Sequence, residues 1–182
     1  MQPQHSPQLQ SRPATEDRRV RSDLRLVPTP RFRRLFRSLG VVTAALVITG
    51  GYVHLCLYRH GYRTIPKIGV GFLLQVVASV IVATALLVGP RRIARVTHVS
   101  DRFAGSSTEL AATLLAVGTL AAFALTRTPS GLFNFRERGL EPAPQALIAL
   151  VAEAGTLLVL GAWLIADQVV RRAGHTVTNA RV

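Results

Sequence analysis

Apolar residues along this chain gather into four long runs, separated by short segments rich in proline, glycine and arginine. The runs cover residues 39–58, 68–88, 110–126 and 146–166. A run of about 20 apolar residues matches the hydrocarbon thickness of a bilayer, whereas a soluble helix shows an apolar stripe on one face only. The pattern predicts an all-α membrane fold, a four-transmembrane-helix bundle over residues 39–166. Punctuation agrees with the runs. The second starts after Pro66 and stops at Gly89-Pro90. The third is short for a span, opens on a capping-box pattern of Ser106 and Glu109 and closes at Pro129. The fourth follows Pro142 and Pro144 and ends near Trp163 and Asp167.

Ahead of the first run the pattern changes twice. Residues 1–30 are rich in Gln, Pro, Ser and Arg and have too little apolar surface to fold alone, so they read as a disordered basic tail. In TPRFRRLFRSLG, Phe32, Leu35, Phe36 and Leu39 follow i, i+3, i+4, i+7 spacing, while Arg31, Arg33, Arg34 and Arg37 cover the remaining surface. Residues 31–38 are therefore expected to form a short amphipathic helix lying on anionic lipid, with Pro30 at its first helical position. Residues 167–182 read as a cytoplasmic C-terminal tail. A cleavable leader is not expected: the apolar run spans a bilayer and no small-residue cleavage site follows it.

Charge then gives orientation. The formal net charge is +13, and the basic residues lie almost wholly outside the apolar runs. Sixteen fall before the first run, between the second and third, and after the fourth; six fall in the other two connections. The positive-inside bias predicts both termini and the 89–109 connection in the cytoplasm, with the 59–67 and 127–145 connections outside. The same bias accounts for the arginines without nucleic acid, which is not an expected partner; anionic lipids of the cytoplasmic leaflet are. The basic residues are arginine throughout except Lys67, a coding bias of GC-rich bacteria. The expected location is the bacterial cytoplasmic (inner) membrane.

Candidate chemistry is confined to a few embedded polar residues and the two outer connections. Glu153 lies inside the fourth run, and a carboxylate in a span costs a few kcal/mol, so such residues face the interior and often mark function. Gln75 sits seven residues into the second run, roughly 10 Å deep, and His54 four residues before the end of the first. Glu153 and His54 are expected either to handle a proton or to lock two helices by a hydrogen bond. Around them stand Tyr58, Tyr62 and Arg63 in the first connection, and Arg127, Arg136 and Glu137 in the second. The second connection, RTPSGLFNFRERGLEPAP, is long, and Leu132, Phe133 and Phe135 would not remain in water. It is either a lid whose arginines meet an anionic group or an inert cap with Arg136 and Glu137 paired. Each run also carries small or weakly polar residues at helical spacing, such as Gly40, Thr43 and Val47, or Ser79 and Ala83, which suits helix–helix packing.

Other chemistry finds little support. Cys56 is the single cysteine, no Cys/His spacing suits zinc, and only one histidine is embedded where a haem-binding bundle uses facing pairs. No metal and no cofactor are expected.

The stretch YVHLCLYRHGYRTIPKIGVGFLLQ, followed by RTPSGLFNFRERG and a glutamate in the last run, resembles small four-helix membrane proteins of actinobacteria. The resemblance covers about residues 40–165. It picks out His54, Tyr62, Arg63, Pro66, Gly69, Gln75, Gly131, Phe133, Phe135, Glu137 and Glu153, and implies that hairpin, loop and glutamate act as one unit; it implies no activity. The expected function is non-enzymatic: binding of a lipid-like or small ligand, or of a membrane-protein partner or second copy, in an outward-facing polar pocket. The alternatives are a small proton-coupled transporter subunit using Glu153, and a quinone- or haem-linked membrane oxidoreductase.

Overall fold

The structure, a computed structural model, describes residues 30–179, with side chains from Arg34 to Val169 and at Arg172. Of the tail expected over 1–30, residues 1–29 lie outside the described residues and Pro30 is instead the first residue of a helix; residues 180–182 and the side chains of Arg31 and Arg33 also lie outside. Five α-helices make up the described chain: α1 (Pro30–Arg59), α2 (Ile68–Val88), α3 (Pro90–Thr97), α4 (Asp101–Thr126) and α5 (Gln145–Asn179), with a 3₁₀ turn at Tyr62–Thr64. Four of them, all but α3, are long and apolar enough to cross a membrane.

Three boundaries differ from the expected ones. The segment 31–38 is not a separate interfacial helix but the first two turns of α1, which runs unbroken from Pro30. No proline or second glycine interrupts the chain there, and the Ser38 hydroxyl donates to the Arg34 carbonyl at 3.0 Å, within the helix's own ladder. Arg34 and Arg37 are exposed on those turns. The third long helix begins at Asp101, not at 110. Its N-cap is Ser100, whose Oγ accepts from the Phe103 N–H at 3.2 Å, so the Ser106/Glu109 pattern falls inside the helix. Asp101 in the first turn adds a favourable charge at the helix N-terminus. Finally, α5 continues well past residue 166, through a stretch without proline.

Each long helix packs against two others: α1 against α2 and α5, and α4 against the same pair. The small-residue faces turn inward, as their spacing implies. Thr43, Ser79, Ala83, Ala112, Ala116, Ala149 and Thr156 are all buried. Thr43 and Thr156 satisfy their hydroxyls on the carbonyls of Leu39 and Ala152, each at 2.9 Å, which removes the cost of burying them. One close approach is between α1 and α2. A Cβ built on Gly51 would stand 2.6 Å from Ser79 Cβ, so these backbones meet at a distance that only glycine permits. Toward the α3 end, Ala44, Val47, Val82, Ala83, Ala112 and Leu160 form one apolar cluster, with Trp163 against it. Toward the hairpin end, where 59–67 and 127–144 lie, Val53, Leu57 and Ala149 form a second, with Tyr62 and Phe72 against it.

Candidate functional site

A cavity of about 260 Å³ occupies the hairpin end of the interior. Leu57, Phe72, Leu120, Phe123, Leu150 and Phe135 are among its apolar walls, and Gln75, Glu153 and His54 are the polar groups set deepest along their helices. Glu153 is 3% exposed. Gln75 Nε2 donates to Glu153 Oε1 at 3.2 Å, joining α2 to α5. The same oxygen rests on α1: a Cβ on Gly50 would lie 2.8 Å from it. Glycine at position 50 therefore makes the space the carboxylate uses, and one side chain touches three helices.

His54 does not complete the expected pair with Glu153. Its Nδ1 lies 2.8 Å from the Gly50 carbonyl, and since a carbonyl only accepts, Nδ1 carries the proton. In the neutral form of the ring Nε2 is then an acceptor. Its edge packs against Phe72, with ring centroids 5.1 Å apart at 86°. Helix rotation decides this outcome: His54 and Glu153 line the same cavity, but the side chain that reaches the carboxylate is Gln75.

The 59–67 hairpin sets the upper wall. The 3₁₀ turn lies flat on the first turn of α2 because residue 69 is glycine; a Cβ there would stand 2.8 Å from the Tyr62 carbonyl oxygen. Seated in this way, the Tyr62 ring stacks on Phe72 at 5.0 Å and meets Phe135 edge-on at 5.8 Å. Its hydroxyl donates to Glu137 Oε1. Burial first, and then that bond to the Glu137 carboxylate, push the Tyr62 phenol above the ordinary tyrosine range.

The long second connection closes over the cavity. Leu132 and Phe135 exchange two backbone hydrogen bonds, both 2.9 Å, forming a miniature hairpin around Phe133 and Asn134. Both central residues have positive φ, 52° and 66°, as a type I′ turn requires. Asparagine tolerates this conformation, but phenylalanine rarely adopts it, and such strain is held where surrounding contacts demand it. Here Lys67 Nζ lies 5.1 Å from the Phe133 ring centroid. Leu132, Phe133, Phe135, Glu137 and Pro142 all line the cavity, so the loop covers the His54–Gln75–Glu153 layer.

Arg127 holds the loop down. It donates to Glu137 Oε2 (2.9 Å), to the carbonyls of Gly139 (3.1 Å), Phe123 (3.2 Å) and Glu141 (2.7 Å), and to the Thr126 hydroxyl. Its guanidinium also stacks over the Phe123 ring at 3.4 Å. The Arg136–Glu137 pairing of the inert-cap alternative gives way to this Arg127–Glu137 bridge, because Glu137 turns inward while Arg136 faces out over Gly131. Three of these hydrogen bonds tie Arg127 to the loop and two to the end of α4.

Of the residues singled out from sequence, His54, Gln75, Arg127, Glu137 and Glu153 line the cavity. Tyr62 reaches it through Phe72, Phe135 and Glu137. Tyr58, Arg63 and Arg136 are not part of its lining. Gly71 has nothing within 4 Å of its Cβ position and borders the cavity. The sequence reading overlooked Lys67, Phe72, Gly118 and Thr119, which also line it. One signal was available: Lys67 is the only lysine in a chain of arginines.

The exposed members of the lining are Lys67, Gly71, Gly118 and Phe133. Gly71 belongs to α2 and Gly118 to α4, and Lys67 meets Phe133 at the loop tip, so the exposed part of the lining is shared by these two helices and the loop. Among the described residues, no group of three or more His, Cys, Asp and Glu side chains comes together as a metal site. Comparison with protein-family models, curated proteins and solved structures found no match.

Proposed function

We propose that this chain is a multi-pass protein of the bacterial inner membrane, a four-helix bundle with both termini cytoplasmic, which binds a small or lipid-like ligand in its cavity. The single observation that supports this most is the Gln75–Glu153 pair at the floor of a mostly apolar space. A concave, mostly apolar site with a few convergent polar groups is the usual form of a ligand pocket. An amide and a carboxylate kept inside spans, rather than replaced by leucine, are costly unless they serve such a purpose. The positive-inside bias puts the pocket in the outer half of the membrane, with the 127–144 loop as its extracytoplasmic cover. The exposed part of the lining, shared by α2, α4 and the loop, favours a ligand taken from the bilayer.

Native mass spectrometry of the protein released from mild detergent tests this. A retained small adduct is expected, lost in Gly118→Leu, whose side chain grows into open space at the cavity's edge. Wild-type protein that carries nothing, or an adduct unaffected by Gly118→Leu, refutes the pocket. A stoichiometric second copy or protein partner in place of a small molecule selects the partner-binding alternative.

A proton-coupled carrier is the second reading, and the cavity shared by His54 and Glu153 is what favours it. Proton-dependent uptake into vesicles that disappears in Glu153→Gln distinguishes transport from binding.

A further inference from the structure

We infer that the head group received at the floor of the cavity is a hydrogen-bond donor and a cation, a protonated amine carried on an apolar body. The inference rests on the ligand-binding reading above and specifies the ligand's chemistry.

The hydrogen-bond inventory leads to it. Gln75 spends one N–H on Glu153 Oε1. His54 spends its Nδ1 proton on Gly50. Thr119 spends its hydroxyl proton on the Leu115 carbonyl at 3.0 Å. With Glu153 ionised and the His54 ring neutral, the groups of these lining residues left without a bond are Glu153 Oε2, His54 Nε2, Gln75 Oε1 and the remaining lone pair of the Thr119 oxygen, all acceptors, against one remaining N–H of Gln75. An acceptor-rich floor rejects a carboxylate or phosphate and accepts an N–H donor, because buried polar groups left unpaired are penalised.

Charge points the same way. Among the described residues, the Glu153 carboxylate has no ion-pair partner. The two cations in the lining are placed elsewhere. Arg127 is bound to Glu137 and the loop carbonyls. Lys67 stands at the rim, eight residues before Gln75, or roughly 12 Å along α2. An ammonium at the floor would complete an ion pair in surroundings of low dielectric, where such pairs are strong.

Size sets the probe. A cavity of about 260 Å³ has room for at least about nine water-sized groups. Octylamine, octanol and octanoate match that size and differ only at the head. Each is titrated into the purified full chain in detergent, with binding read by calorimetry against protein-free micelles. Octylamine is expected to bind at least tenfold more tightly than either of the others, and to lose at least tenfold in Glu153→Gln. Octanol binding as tightly as octylamine, or octanoate binding more tightly, overturns the inference while leaving the pocket standing. No binding by any of the three overturns both the inference and the pocket reading. Should Glu153→Gln not fold, the wild-type rank order decides alone, with Gly118→Leu reporting whether binding is in the cavity.

Discussion

Adjacent glycines in α1 are predicted to behave in opposite ways when replaced by alanine. At Gly51 the added Cβ would lie 2.6 Å from Ser79 Cβ and 2.9 Å from Ser79 Oγ. Ordinary carbon–carbon contact is about 3.5–4.0 Å, so α1 and α2 must separate by about 1 Å at this level. Ser79 Cβ is fixed to its backbone and cannot rotate away. Overpacking of this kind costs about 1–3 kcal/mol, and the better helix propensity of alanine returns about 1 kcal/mol. A net loss of about 0–2 kcal/mol is expected, or about 1–3 kcal/mol relative to a glycine replaced where there is room. At Gly50 the nearest atom is instead Glu153 Oε1, the far end of a side chain, at 2.8 Å. Gly50→Ala should therefore leave stability within about 1 kcal/mol, the helix-propensity gain offsetting the loss of the Gln75 bond as the carboxylate is pushed aside. The assay is reversible unfolding in mixed micelles, followed by circular dichroism and by the fluorescence of the single tryptophan, Trp163. Gly161→Ala, with nothing within 4 Å of its Cβ position, is the control for helix propensity alone. Ser79→Gly should restore Gly51→Ala, giving a coupling energy of about 1–2 kcal/mol in a double-mutant cycle. Gly51→Ala as stable as Gly161→Ala, or no coupling to Ser79, would refute the close approach of α1 and α2.

Three further outcomes follow from the hairpin end and the orientation. Arg127→Ala leaves Glu137 largely buried without its cation and should cost about 3 kcal/mol, with proteolysis appearing within 128–141; Glu137→Gln, which still accepts the Tyr62 proton, should cost less, and an Arg127→Ala protein as stable and resistant as wild type would dismiss the clamp. Tyr62 is held above the ordinary tyrosine range, so its contribution to stability is complete below about pH 10 and is lost as pH rises further. Ultraviolet titration should accordingly show the same ionisation amplitude near pH 10 in wild type and Tyr62→Phe, and an extra wild-type step there counts against the buried phenol. With Cys56 replaced by serine, a cysteine at His60 should react with an impermeant label in intact cells and one at Val96 should not; the reverse pattern inverts the topology.

The four long helices were legible because hydropathy is a property of consecutive residues. Twenty apolar side chains in a row satisfy a helix's backbone internally and leave few alternatives. The inward faces were legible for a related reason: Thr43 and Val47, or Ser79 and Ala83, recur at the helical period whatever the neighbouring helix is. Boundaries were less so. The amphipathic pattern at 31–38 resembles a separate interfacial helix, yet a local pattern does not say whether the ladder stops, and α1 passes straight through.

Pairing was decided only by the tertiary structure. From sequence, Glu153, His54 and Gln75 share a depth, which leaves the partner of the carboxylate open. Depth is counted along one helix, whereas contact depends on the rotation and axial offset between helices, and these are set by close approaches such as Gly50 on Glu153 and Gly51 on Ser79. They bring Gln75, not His54, to the carboxylate. The same holds for Glu137, whose sequence neighbour Arg136 faces out while Arg127, ten residues away, closes the bridge. Embedded polar residues were therefore determined by the chain alone; the cavity they line, its exposed lining shared by α2, α4 and the loop, and the valences left free at its floor exist only because helices distant in sequence meet at fixed angles.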